Sequence, residues 1–168
     1  MSEEIDHLRS VGVVLARRKI DNPWIDHAWT PHAIFWPAPQ TPANTVLADE
    51  EALRLVYMGE AAIELFVAET ANYRDNLISG APGLWVAARS DASGGVPELV
   101  RVTADPTEGE ALFEAGCDIV APLPLSPELA SWIGSFVEAF HVEREFLKRK
   151  RDRKDRPFER GPRREGQP

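Results

Sequence analysis

The sign of the net charge reverses near residue 144, and this reversal confines the folded core to the part of the chain before it. Residues 144–168 contain 11 Lys and Arg against 5 Asp and Glu, a net charge of +6. Residues 1–143 contain 8 Lys and Arg against 22 Asp and Glu, a net charge of −14. From residue 152 onward Pro, Gly and charged residues dominate, which is typical of disorder. We therefore predict one acidic domain over residues 1–147 and a basic, disordered tail over residues 148–168.

The composition limits the compartment and the class of partner. A domain of this size buries an adequate core without disulfides or metals, and the single cysteine, Cys117, cannot form an internal disulfide. The first ten residues are polar and acidic, unlike a secretory signal. No apolar run approaches the roughly 20 residues that span a bilayer. These features predict a cytoplasmic protein, and nucleic acid is disfavoured as a partner because the acidic domain repels phosphates.

Alternating and β-branched residues indicate strands in the first half of the chain. Residues 11–15 form a β-branched run that ends in basic residues, and residues 29–36 are expected to pair with it as a hairpin. Pro31 within the second strand predicts an edge position or a bulge. Residues 52–66 alternate on both sides of Met58-Gly59-Glu60, which predicts a second hairpin with its turn at Gly59.

Helix signals follow in three places. Residues 69–79 have a helical pattern that Gly80 can end. Asp105-Pro106-Thr107-Glu108 supplies an N-cap, a proline at N1 and a glutamate at N3 that can bond back to the cap. A third helix starts at Ser126, and its pattern extends weakly to Leu147. Its apolar stripe consists of Leu129, Trp132, Ile133, Phe136, Val137 and Phe140.

Short strands are predicted between these helices, at residues 83–89, 98–103 and 118–123. Hairpins that are followed by helices favour an α+β domain over a doubly wound α/β sheet. The predicted fold is therefore a mostly antiparallel sheet of short hairpins packed against two or three helices, with a long C-terminal helix.

No residue pattern here predicts catalysis or a cofactor. His27 and His32 are five apart in an extended segment, so their imidazoles point to opposite faces and cannot share a metal. Cys117 lies between Glu114 and Asp118, which does not favour a reactive thiolate. Residues 49–51 and the acidic residues from 108 to 114 are interpreted as a solvated face and a helix start. We predict neither a metal nor a cofactor.

Two segments are candidates for contact with a partner. Trp24, Trp29 and Trp36 lie within thirteen residues, and either they fill the core or they form a recognition surface. Trp24 lies in a proline turn among polar residues and is the one we expect to be exposed. The basic run at residues 148–154 could bind an acidic partner or nucleic acid, fold back on the acidic domain, or be a solvated helix end. Protein contact is favoured, because the run lacks interleaved aromatic residues and no base-reading module accompanies it.

Four stretches of the chain are distinctive together: VGVVLARRKIDNPWIDHAWTP at residues 11–31, GEAAIELFVAETANYRDNL at 59–77, VTADPTEGEALFEAGCDIVAPLPLSPEL at 102–129 and WIGSFVEAFHVEREFLKRKRDR at 132–153. They resemble the bacterial family called domain of unknown function 3305, and the resemblance covers about residues 11–154. It implies an association with genes for molybdenum-dependent formate dehydrogenases and their maturation proteins. It assigns no catalytic residue.

Together these observations favour a non-catalytic accessory or assembly protein that binds a formate dehydrogenase subunit or maturation factor. The oligomeric state is left open. The predicted contact residues are Trp24 and the basic residues Lys148, Arg149, Lys150, Arg151, Arg153 and Lys154. Two alternatives remain open. One is a small enzyme that acts on a cofactor precursor through Asp26, His27 and either Arg89 or Arg101, and the other is a nucleic-acid-binding regulator that acts through the tail.

Overall fold

The computed structural model describes residues 5–142. Within them the chain forms seven strands and three helices, and a 3₁₀ turn at Val67–Glu69 leads into the first helix. The strands are β1 (Leu8–Lys19), β2 (His27–Phe35), β3 (Thr45–Asp49), β4 (Leu53–Glu64), β5 (Gly83–Arg89), β6 (Glu98–Thr103) and β7 (Ile119–Pro124). The helices are α1 (Thr70–Ile78), α2 (Pro106–Glu114) and α3 (Pro127–Phe140).

The strands form two sheets in which every hydrogen-bonded pair is antiparallel. The first sheet has the order β2-β1-β4-β3, and the second has the order β6-β5-β7. β2 lies against β7 and β4 against β6, while α1 packs on α3 and α2 packs on the second sheet. The fold is therefore α+β with antiparallel sheets and three helices, as the sequence predicted.

β1 is buried on both of its faces. Val11, Val13 and Leu15 point into the core that the two sheets share with α1 and α3. Val14 on the opposite face is 1% exposed. The segment after β2 covers that face, because a Cβ on Gly12 would lie 2.8 Å from the ring carbon Cδ of Pro39. A strand that is covered on both faces reads as a continuous apolar run, which explains the β-branched residues at 11–15.

The predicted hairpin at residues 52–66 is wrong, because these residues form the single strand β4. Met58 is an extra residue in the pairing with β1: Val13 lies opposite Gly59 and Val14 lies opposite Tyr57. Gly59 does adopt a positive φ of 97°, but it serves a β-bulge instead of a turn. The bulge changes which face the odd-numbered residues occupy, so the alternation on each side of Met58 resembles two separate strands.

The same sheet has two further bulges and one strand that the sequence reasoning missed. His32 is the extra residue in β2, next to Pro31 on an edge strand, which confirms the prediction of an edge position or a bulge. β3 was not predicted, and it contains a third bulge at Leu47. Bulges on three strands bend the sheet along its length.

Both proline-initiated helices begin where the sequence predicted. Asp105 caps α2 by accepting a hydrogen bond from the Thr107 amide at 2.8 Å. Glu108 does not bond directly back to the cap residue. Instead the Thr103 hydroxyl donates to Glu108 Oε2 at 2.6 Å and accepts from the Asp105 amide at 3.1 Å. The Thr103 hydroxyl therefore links the two acidic residues of the motif.

α3 begins at its Ser126 cap and buries five residues of the predicted apolar stripe, Leu129, Trp132, Ile133, Phe136 and Val137. The sixth, Phe140, is the last residue of the helix and is 37% exposed. The helix ends at Phe140, because His141 is already extended with a φ of −74° and a ψ of 123°. It has fourteen residues, so the expected continuation of the helix does not include residues 141 and 142. The rest of that continuation, to Leu147, lies outside the described residues.

Candidate interaction surface

The turn between β1 and β2 holds a tryptophan in solvent. The Ile20 amide donates to the Asp26 carbonyl at 2.9 Å and closes the turn. Inside it the Trp24 amide donates to Asn22 Oδ1 at 2.8 Å, a local bond that asparagine side chains often make in turns. Trp24 is 89% exposed and Ile25 is 53% exposed. The tip of this hairpin therefore presents two large apolar side chains on a backbone that hydrogen bonds hold.

The three tryptophans of the aromatic-rich stretch do not form one surface. Trp29 lies within β2 and packs against the core, half-buried. Trp36 follows the end of β2 and is 41% exposed. β2 has nine residues, which at roughly 3.3 Å per residue separates Trp24 from Trp36 by about 30 Å. Trp24 is exposed, as expected, and Trp36 is exposed to a smaller extent.

A second candidate surface, part apolar and part polar, surrounds Trp36 at the end of β2 opposite to Trp24. It is a groove of about 420 Å³. The Arg9 guanidinium lies 6.0 Å from the Trp36 ring centroid and 5.1 Å from that of Trp132. Hydrogen bonds from the Leu8 amide and from Arg9 hold the pKa of Asp6 below its usual value of 3.8. The groove is lined by Ile34, Phe35, Trp36, Pro37, Leu84, Pro124, Ser126, Glu128 and Leu129.

Sequence reasoning missed this groove because its walls come from distant parts of the chain. Trp36 after β2, Leu84 in β5 and Leu129 in α3 meet only after both sheets and α3 have packed together. The one local signal was the pair Phe35-Trp36 at the end of a predicted strand, which does not reveal the partners of these rings.

The residues proposed for a small enzyme are not brought together. Arg89 forms an ion pair with Glu98 at 3.8 Å, and Arg101 forms one with Glu108. In the described part of the chain, no hydrogen bond or ion pair joins His27 to either arginine. Asp26 contributes its carbonyl to the hairpin turn. These side chains therefore do not form a shared site in this structure.

The other residues considered for catalysis or metal binding are buried or make contacts within the fold. Cys117 is buried after α2, and its amide donates to the Leu112 carbonyl at 3.0 Å. His32 lies beside Arg18, with 3.4 Å between Nδ1 and Nη2. Asp49 and Glu51 pair with Arg54 and Lys19. Among residues 5–142 no three His, Cys, Asp or Glu side chains are grouped as a metal site would require.

The basic part of the predicted interface lies beyond residue 142. Lys148, Arg149, Lys150, Arg151, Arg153 and Lys154 lie outside the described residues, as does the predicted tail boundary at residue 148. Of the predicted contact residues, Trp24 is therefore the one that the structure locates.

The comparison with protein families agrees with the resemblance in the sequence. The profile of the family described as "Protein of unknown function (DUF3305)" matches residues 10–150. The chain belongs to this family. No curated protein and no solved structure matches the chain. Between residues 5 and 142, no helix has the length and apolar character that crossing a membrane requires.

Proposed function

We propose that this protein is a non-catalytic accessory protein that binds a protein partner through the tip of the β1–β2 hairpin. The observation that supports the proposal is Trp24, which is 89% exposed on a turn that two hydrogen bonds hold in place. An exposed indole is unfavourable in water, and tryptophan is enriched among the residues that dominate binding energy at interfaces. Because the turn is already ordered, little backbone entropy would be lost when the indole is buried.

The surroundings of the tip suit a protein interface. Ile25 extends the apolar area beside Trp24, while Asp21 and Asp26 are exposed on either side of it. An apolar centre with a polar rim is the usual anatomy of a protein–protein contact. The partner would therefore offer an apolar pocket wide enough for an indole ring.

The proposed partner is a subunit or maturation factor of a molybdenum-dependent formate dehydrogenase. The support for this choice is the association with genes for these enzymes that the family resemblance implies, and gene context alone does not define a mechanism. The basic residues between Lys148 and Lys154 are proposed as a second contact, which the reversal of charge along the chain supports. Binding through both contacts would raise the affinity through effective concentration.

The test is capture of formate dehydrogenase proteins by the full chain with Trp24 intact and with Trp24→Ala. The tagged protein is produced in its host during growth on formate, and the captured proteins are measured by mass spectrometry. We expect the wild type to enrich formate dehydrogenase subunits or maturation factors. With the purified partner, Trp24→Ala should raise the Kd at least about 30-fold, which corresponds to a hot-spot residue.

A matched control separates the hairpin tip from exposed aromatic surface in general. Phe113 on α2 is 63% exposed, so Phe113→Ala removes an exposed aromatic ring elsewhere and should leave the Kd unchanged. Equal binding by Trp24→Ala and the wild type would refute the role of the tip. Enrichment of no formate dehydrogenase protein by a folded wild type would refute the proposed partner.

A further inference from the structure

One row of side chains crosses the whole first sheet at the rim of the core. Arg17 on β1 lies opposite Trp29 on β2 and opposite Arg54 on β4, and Arg54 lies opposite Asp49 on β3. Residues directly opposite each other in an antiparallel sheet point to the same face. Leu15 precedes Arg17 on that face and belongs to the core, so the row lies one step beyond the core. Two arginines are therefore adjacent at the end of the space between the sheets.

The two arginines that end the apolar row of β1 differ in their contacts. Arg9 comes before Val11, forms an ion pair with Asp6, and stacks on two tryptophan rings. Arg17 comes after Leu15, and its guanidinium has no hydrogen bond or ion pair among the described residues. The apolar row of β1 therefore lies between an arginine that is paired with an acid, Arg9, and an arginine without a counter-ion, Arg17.

The Nε atoms of Arg17 and Arg54 are both buried without a hydrogen-bond partner. The nearest carboxylate atom to Arg54, Asp49 Oδ1, lies 3.7 Å from Nε, which is beyond hydrogen-bond length. Like charges directly opposite each other destabilise a sheet, and a buried donor without an acceptor adds a further cost. The charge repulsion is relieved when an anion accepts hydrogen bonds from the two side chains.

The neighbouring charges do not supply that anion. Lys19, the next residue on this face of β1, pairs with Glu51 at 3.2 Å. Arg18 points to the opposite face, where it lies beside His32. Asp49 balances one of the two guanidinium charges, so Arg17, Arg54 and Asp49 together retain one positive charge. One further negative charge would therefore neutralise this group of three side chains.

We propose that Arg17 and Arg54 form a binding site for an oxyanion, either a carboxylate or a phosphate group. A guanidinium presents parallel N–H donors that match two oxygens of such a group, and two guanidiniums can hold it from both sides. The Arg54 side chain is 29% exposed, so the site is open to solvent at its outer end. The buried Nε atoms are closed to solvent, so the anion would bind the outer N–H groups of the two guanidiniums.

NMR of the arginine Nε–Hε groups tests the site directly in the full chain. Inorganic phosphate and acetate are titrated separately at constant ionic strength. We expect at least one of them to shift the Arg17 and Arg54 signals saturably, while the signals of Arg9 and Arg101, which are already paired with acids, do not follow the same curve. A response to phosphate alone assigns a phosphate ligand, and a response to acetate alone assigns a carboxylate ligand. The absence of a saturable shift with either probe would overturn the proposal.

A second measurement uses thermal unfolding. Without added anion, Arg17→Met should raise the Tm, because it removes one of two opposed charges and a donor without a partner. The substitution should also abolish the rise in Tm that the responding probe causes in the wild type. Arg89→Met is the control, since Arg89 already pairs with Glu98 and its loss should leave the anion response intact. A lower Tm in Arg17→Met together with an unchanged anion response would contradict the proposal. The test does not depend on whether Trp24 binds a protein.

Discussion

At the scale of single residues, Gly12 shows how a tertiary contact restricts a side chain. A Cβ at this position would lie 2.8 Å from Pro39 Cδ and 2.8 Å from Tyr57 Cε2. Gly12→Ala should therefore lower the free energy of unfolding by roughly 1–3 kcal/mol, the usual cost of overpacking a core. Urea unfolding of the two proteins measures the difference.

Gly134→Ala is the matched control for Gly12→Ala. Gly134 lies within α3, and the nearest atom to an added Cβ is Leu77 Cδ1 at 4.0 Å. Alanine is the better helix former by about 1 kcal/mol, so this substitution should stabilise the protein. If Gly12→Ala were as stable as the wild type, the result would contradict the close packing of Pro39 and Tyr57 against Gly12.

The lowered pKa of Asp118 leads us to expect that the stability of the fold depends on pH. Hydrogen bonds from Ser90, including one from its amide at 2.8 Å, hold the pKa of this carboxyl below its usual value of 3.8. A lowered folded-state pKa stabilises the fold above pH 3.8, and this contribution is lost as the pH falls through the lowered pKa. Because Asp118 is exposed, the effect should be below about 1 kcal/mol.

Asp118→Asn is the variant that measures this effect. Urea unfolding at pH 7 and at pH 2–3 should show a larger difference from the wild type at pH 7 than at low pH. A difference that is the same at both pH values would show that the carboxylate charge is not involved.

At the scale of elements, the start of α2 depends on a hydroxyl in the preceding strand. Thr103 is 5% exposed, donates to Glu108, and accepts from the Asp105 amide. Thr103→Val keeps the shape but leaves the Asp105 amide without an acceptor, so the free energy of unfolding should fall by about 1–3 kcal/mol. Thr103→Ser retains the hydroxyl and should recover most of the loss in the same urea experiment. Equal losses in both variants would assign the effect to packing.

The helices and strands also show where local sequence patterns were sufficient to predict the secondary structure. The starts of α2 and α3 were predictable because a cap and an N1 proline act within one turn of helix. β5 and β6 were predictable for a similar reason, since alternation and the flanking turns lie within the segment. β4 was not predictable as a single strand, because the bulge at Met58 exists only through the pairing of β4 with β1. β3 was missed because its five residues are mostly exposed and form a strand only against β4.

At the scale of the whole molecule, the described core is complete without the basic end of the chain. The core cluster and the residues packed on it run from Ile5 to Val137. Removal of residues 148–168 should therefore change the free energy of unfolding by no more than about 0.5 kcal/mol and leave the urea m-value unchanged. A loss above about 1 kcal/mol would show that the tail contributes to the fold.

The candidate surfaces differ in whether a local sequence pattern or the packing of distant segments determines them. By itself the sequence indicated the exposure of Trp24, because turns rich in Pro, Asp and Asn usually lie at the protein surface. It also determined the helix starts and the α+β class, which follow from patterns within single segments. The tertiary structure alone decided that Arg17 faces Arg54 and that Arg9 stacks on Trp36 and Trp132. Such contacts depend on strand register and on the packing of distant segments, and a shift of one residue would move each side chain to the other face.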